Sequence, residues 1–152
     1  ILMKGLPEGT VPVGRLDINT GGLLLLSNDG ELVNRLTHPS WEVEREYRIF
    51  LSSPPGPGVL KSLRKGASIG PREFSKPLAV EFSGKKSVNV VLHTGRNREI
   101  RRLAEACGLK IEGLERVRYG PITMQGIRRS EWRLLTDDEL RALKRTVKLD
   151  PC

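Results

Sequence analysis

Apolar and polar positions change period several times along the chain, and each change marks an element. Val11 and Val13 alternate with polar or turn residues and predict a short strand. Gly14 to Gly22 read as a turn-rich loop. Leu23 to Ser27 form an apolar run fit for a buried strand, closed by Asn28-Asp29-Gly30. From Glu31 to Thr37 the period becomes helical, with Leu32, Val33 and Leu36 on one side and His38-Pro39 as the stop. Glu44 to Leu51 predict a strand and Val59 to Lys65 a short helix. Leu78 to Phe82 and Val88 to Thr94 alternate as two strands joined through a Ser-Gly-Lys-Lys turn. Asn97 to Cys107 predict a helix ended by Gly108, and Lys110 to Tyr119 a strand. Thr136 and Glu139 have capping-box spacing and open the last helix. Its first turn is acidic and its far end carries Arg141, Lys144 and Arg145. Strands and helices are intermixed, with hairpin-like neighbours. The expected class is α+β, a largely antiparallel sheet flanked by helices. Segment 52–58, SSPPGPG, is dense in proline and glycine and is the expected hinge between two lobes.

Composition narrows the function. The 152 residues fit one domain with a real core. The formal net charge of +8 points to an anionic partner, with nucleic acid foremost. Cys107 and Cys152 make no disulfide framework, which fits a reducing, intracellular setting. The longest leucine run, Leu23 to Leu26, is far short of the roughly 20 residues of a membrane span.

Two segments could carry chemistry. Asp17 lies in Gly14-Arg15-Leu16-Asp17, between two apolar strands that could hold a carboxylate rigidly at a cleft rim. Its local features alone favour an ordinary turn aspartate. In the helix over 97–107, Ile100, Leu103, Ala104 and Cys107 share one face. Arg98, Arg102 and Glu105 share the other, and Arg101 lies on the flank, where a long side chain can reach into a cleft. Between 96 and 118 the basic residues Arg96, Arg98, Arg101, Arg102, Lys110, Arg116 and Arg118 face four glutamates, and Arg15 and Arg45 could extend the basic surface.

The stretch GRLDINTGGLLLLSNDGELVNRLTHP resembles the signature segment of the pseudouridine synthases that modify ribosomal RNA, in the branch of small- and large-subunit enzymes. EREYRI at 44–49 resembles the family's second motif, TGRNREIRRL at 94–103 its third, and LERVRYGPI at 114–122 its closing strand. The four occur in family order. The resemblance implies the family's mixed sheet, with two lobes around a central cleft, and an isomerase that turns a specific uridine of ribosomal RNA into pseudouridine. EVEREY after the His-Pro turn points to the large-subunit branch. It implies Asp17 as the catalytic aspartate, Tyr47 as the active-site tyrosine and Arg101 as the basic partner of Asp17. Arg15, Arg45, Arg96, Arg98, Arg102, Arg116 and Arg118 are then expected on RNA, and no cofactor or metal is required. The expected partner is ribosomal RNA. The chain is expected to act as a monomer, off the membrane, in the cytoplasm or in an organelle with bacterial-type ribosomes. Relative to the family the whole chain, 1–152, reads as a catalytic domain that starts late, with the first strand, a Lys-Pro motif and an accessory RNA-binding domain expected ahead of residue 1.

Other chemistries are poorly matched. TGRNR lacks the spacing of a phosphate-binding loop. His38, His93, Cys107 and Cys152 are too scattered for a metal site. His93 reads as structural, and Trp41 and Trp132 as packing. The alternative to an enzyme is a module that keeps the fold, binds RNA and does not turn over.

Overall fold

A computed structural model describes residues 4–149. The chain runs through β1 (Val11–Pro12), β2 (Thr20–Gly22), β3 (Leu26–Ser27), α1 (Gly30–Thr37), a 3-10 turn at Pro39–Trp41, β4 (Arg45–Leu51) and α2 (Val59–Lys65). It continues through β5 (Ala67–Gly70), β6 (Glu73–Ser75), β7 (Ala79–Gly84), β8 (Ser87–Leu92), α3 (Glu99–Ala106), β9 (Ile111–Tyr119), β10 (Ile122–Thr123) and α4 (Asp137–Thr146). The central sheet has the order β10-β9-β4-β8-β7, and β2 also pairs with β9. Every pair in it is antiparallel except β2 with β9. The α+β class and the mostly antiparallel sheet follow the sequence pattern.

Two apolar cores form along this sheet. The first joins Ile49 and Leu51 of β4, Val88, Val90 and Leu92 of β8, and Leu63, Ile100 and Leu103 from α2 and α3. The second joins Val13, Leu25, Leu32 and Leu36 near α1 to Val43, Tyr119, Leu143 and Val147. Each such side chain contributes about 1.5–3 kcal/mol when fully buried. Strand β9 crosses from one core to the other, and Val43, two residues ahead of β4, lies in the second. Tyr119 belongs to the second, Ile49 and Leu114 to the first. Segment 52–58 is therefore not the boundary. Leu51 before it and Leu63 after it lie in the same core, and the two halves are joined by continuous sheet.

Four local expectations change. The loop 14–22 contains β2, because Thr20–Gly22 lie against β9 at 114–116, next to the stretch that pairs with β10. Of the run 23–27, only 26–27 form a ladder. Leu23 instead donates its N–H to the Arg116 carbonyl at 2.8 Å. Strands β5, β6 and β10 were not foreseen. The hairpin β5–β6 leaves Phe74 exposed and so shows no clean alternation. Helix α3 starts at Glu99 rather than Asn97, since Arg98 takes a left-handed conformation at φ 51°. Helix α2 matches its expected bounds, α4 opens at the Thr136 cap as expected, and the Thr136–Glu139 capping box is formed.

Candidate active site

The Asp17 loop hangs from backbone bonds. Val13 N–H donates to the Leu25 carbonyl at 2.8 Å, closing the loop at its base. Thr20 N–H donates to the Asp17 carbonyl at 2.9 Å, making a turn of residues 17–20. Gly22 follows at φ 99°, and a Cβ there would lie 2.2 Å from the Arg116 carbonyl oxygen. Only glycine allows β2 to approach β9 this closely. Among the described residues, no side chain hydrogen-bonds or ion-pairs with the Asp17 carboxylate.

Opposite the loop, β4 and β9 meet at a bulge. Arg45 pairs with Tyr119 and Tyr47 with Arg116, which leaves Val117 as an extra residue on β9. The shift re-aims the strand and puts Arg116 and Tyr119 on one face. The Arg116 guanidinium carbon lies 5.1 Å from the Tyr119 ring centroid, and that of Arg45 lies 5.7 Å from it. Tyr119 is 1% exposed and donates its hydroxyl to the Leu36 carbonyl at 3.0 Å. Burial pushes its pKa up, against the pull of the two arginines. Arg116, 3% exposed, donates from Nε to the Leu23 carbonyl at 2.9 Å.

The third wall is the segment from Thr94 into α3. Its organiser is Glu99, which sequence reasoning missed. This carboxylate is 4% exposed. It accepts the Ser75 hydroxyl at 2.6 Å, the Thr94 hydroxyl at 2.7 Å and the Arg96 N–H at 3.1 Å, and the Arg96 guanidinium lies 3.8 Å away. A buried charge is stable only with such a full set of donors. The bonds pin the 94–98 turn to β6 and set the start of α3. The local signal was an acid at a helix start among arginines, but its partner Ser75 lies 24 residues away.

These walls enclose a cleft of about 230 Å³. Asp17, Tyr47 and Arg101, widely separated in sequence, all line it. So do Arg15, Arg45, Arg96, Arg98 and Arg116. Leu16, Leu92, Ile100 and Leu114 give it an apolar floor. Thr20 Oγ1, Arg45 Nε, Arg101 Nε and one Arg116 terminal nitrogen are buried there without a hydrogen-bond partner. Six arginines against Asp17 and Glu99 make the cleft strongly electropositive. Among the described residues no three His, Cys, Asp or Glu side chains are gathered to hold a metal ion, and no helix is long and apolar enough to cross a membrane.

Three expectations about the arginines are corrected. Arg101 forms no ion pair within 4 Å of Asp17. It donates instead to the Asn19 carbonyl at 2.6 Å, bracing the Asp17 turn through its backbone. Arg102 faces away from the cleft and bonds Glu73 and the Ile69 and Asn97 carbonyls. Arg118 is taken up by Glu44, Glu46 and the Gly120 carbonyl. Neither lines the cleft.

A family profile described as RNA pseudouridylate synthase matches residues 4–106, and the chain belongs to that family. Its relatives include the ribosomal large subunit pseudouridine synthase B of Shigella flexneri and of Escherichia coli K12, each 44% identical over 93% of this chain and 50% of the relative. The protein of the same name from Haemophilus influenzae is 43% identical over 91% of this chain and 40% of its own length. The chain thus spans about half the length of the curated relatives it matches. The crystal structure of a pseudouridylate synthase superposes with a TM-score of 0.82 at 31% identity, covering 89% of this chain and 60% of that one. The archaeal box H/ACA Nop10–Cbf5 complex shares the fold, with a TM-score of 0.52 at 19% identity, over 76% of this chain and 40% of that one.

Proposed function

We propose that this chain is the catalytic domain of an RNA pseudouridine synthase acting on a uridine of large-subunit ribosomal RNA. One observation carries the reading: Asp17, Tyr47 and Arg101, drawn from three sequence motifs, line a single arginine-rich cleft. The relatives named for the large ribosomal subunit supply the substrate class. The arginines hold the RNA backbone. The target uridine leaves its stack and enters the cleft, where Tyr47 and the apolar floor receive the base. The Asp17 carboxylate, free of protein partners, acts as the nucleophile. It bonds to C1′ as the C1′–N1 bond breaks, the base rotates, C5 displaces the carboxylate from C1′, the C5 proton passes to solvent and N1 takes up one proton, which leaves the isomer and a free Asp17. Arg101 serves this step by fixing the Asp17 turn. No cofactor is needed. The chain acts as a monomer where ribosomes of the bacterial type occur.

The test is tritium release from large-subunit ribosomal RNA labelled at uridine C5. The wild-type chain should release tritium, and Asp17→Asn should fall by a factor on the order of 10³ or more while still binding RNA. Equal release by both overturns Asp17 as the nucleophile; none by either, with RNA still bound, overturns the enzyme reading in favour of a binding module.

A further inference from the structure

From Phe74 to Leu78 burial alternates residue by residue, the mark of an extended chain with two faces. Ser75 and Pro77 are buried, while Phe74, Lys76 and Leu78 face solvent. The outward face thus carries two large apolar side chains, 55% and 51% exposed, with a lysine between them. Apolar side chains scattered singly on a surface need no explanation. These two are aligned, and the backbone beneath them is fixed at three points. The Arg96 guanidinium donates to the Phe74 carbonyl at 2.8 Å, the Ser75 hydroxyl to Glu99 at 2.6 Å, and the Leu78 N–H to the Val91 carbonyl at 2.8 Å. Across the hairpin Phe74 pairs with Ser68, which is itself exposed and too small to cover the ring. The charge around the strip is positive. Arg72 precedes it, exposed, and the neighbouring acid, Glu73, is paired with Arg102. Arg96 belongs to the cleft wall, so the strip starts at the cleft and runs from there toward β7.

We infer that Phe74, Lys76 and Leu78 form a track for single-stranded RNA that flanks the target uridine, with Phe74 stacking on a base outside the cleft. This rests on the RNA reading above and extends it to a surface beyond the cleft. An aromatic face beside a cation suits a single strand, because every base has a π-face and every nucleotide brings a phosphate. Side chains on one face of an extended chain recur about every 6.6 Å. Lys76 therefore meets a phosphate while Phe74 and Leu78 hold the apolar faces on either side. Base–aromatic stacking tolerates any sequence, so the track adds grip and leaves the choice of uridine to the cleft. Because Arg96 both bonds the Phe74 backbone and lines the cleft, a strand held on the track meets the cleft in a fixed register. A backbone already fixed has little ordering left to lose on binding.

The experiment measures filter binding of large-subunit ribosomal RNA, and tritium release from the same RNA labelled at uridine C5. The proteins are the wild-type chain, Phe74→Ala, Phe74→Leu, Phe74→Trp and Lys76→Ala, with thermal melting and sedimentation in parallel. Phe74→Ala should raise Kd about fivefold or more and leave the slope of log Kd against log salt unchanged. Phe74→Leu, apolar but without a flat face, should bind as weakly. Phe74→Trp should bind at least as well as wild type, with its fluorescence quenched as RNA is added. Lys76→Ala should lower the salt slope by about 0.7. Melting temperature and turnover at saturating RNA should stay at wild-type values, since Phe74 and Lys76 belong to neither core and do not line the cleft. Wild-type affinity in Phe74→Ala overturns the track. So does full affinity in Phe74→Leu, which would make Phe74 a generic apolar contact. So does a wild-type dimer that Phe74→Ala dissolves, which would give the strip to a second copy of the chain. A chain that binds RNA through Phe74 but releases no tritium overturns the isomerase reading and leaves the track standing, whereas one that binds no RNA overturns both.

Discussion

The cleft holds two carboxylates, and the walls that carry them are built differently. Asp17 sits on a turn hung from backbone hydrogen bonds, and its carboxylate has no protein partner among the described residues. Glu99, across the cleft, is buried and takes donors from Ser75, Thr94 and Arg96. One acid is left free to react, while the other is consumed in holding the arginine wall. The backbone bonds that fix the Asp17 turn are indifferent to its side chain. Removal of the Asp17 charge should therefore spare the fold, whereas removal of the Glu99 charge should not.

That contrast is the first place to press. Glu99→Ala leaves the Ser75 hydroxyl buried without its acceptor and frees Arg96. It should cost about 2–4 kcal/mol in urea unfolding. Asp17→Asn should stay within about 0.5 kcal/mol of wild type. Glu99→Gln keeps the shape and should fall between them. If Glu99→Ala unfolds at the wild-type midpoint, the buried network is not what holds the arginine wall.

A smaller effect separates arginines that line the cleft from those bonded within the fold. Arg98 lines the cleft and is exposed, whereas Arg102 is bonded to Glu73, Ile69 and Asn97. Arg98→Ala should lower the slope of log Kd against log salt for ribosomal RNA by about 0.7–0.9. Arg102→Ala should leave that slope alone and cost about 1–2 kcal/mol of stability. Equal slopes for both variants would place the RNA elsewhere.

This division explains what the sequence could and could not reveal. Elements fixed by near neighbours were legible. Helix α2 and the capped α4 lie where periodicity and capping residues put them. So was the gathering of Asp17, Tyr47 and Arg101, because each lies in its own motif. An arginine's role, by contrast, depends on which acid meets it in space. Arg102 finds Glu73 across 29 residues, and Arg118 finds Glu46 across 72. Nothing local distinguishes these from Arg98. The β4–β9 bulge at Val117 is equally silent in one strand's sequence, since it exists only as a mismatch between two strands. It nonetheless decides that Arg116 and Tyr119 share a face. The Asp17–Arg101 pair failed for a related reason: a flank position on α3 gives reach but does not choose between a carboxylate and the carbonyl two residues on.

The smallest effect lies in the half that carries Asp17, where the charged anchor is at the surface. Glu139 caps α4 and pairs with Arg133 at 2.7 Å. The Arg133 hydrogen bonds, helped by the Thr136 N–H, hold its carboxyl down from an ordinary 4.5 to about 2. A carboxyl depressed in the folded state contributes stability that is present above its unfolded value and fades as pH falls from about 4.5 to about 2. Glu139→Gln removes that contribution but leaves an amide able to complete the capping box. The two proteins should therefore differ in melting temperature at pH 6 and converge as the pH approaches 2, and the gap should shrink with salt because the pair is exposed. The Glu99 variants should show no such convergence with salt, since their lost bonds lie out of reach of solvent ions. A salt-insensitive gap at Glu139 would mean that this half, too, rests on a shielded polar network, and the distinction between the two walls would close.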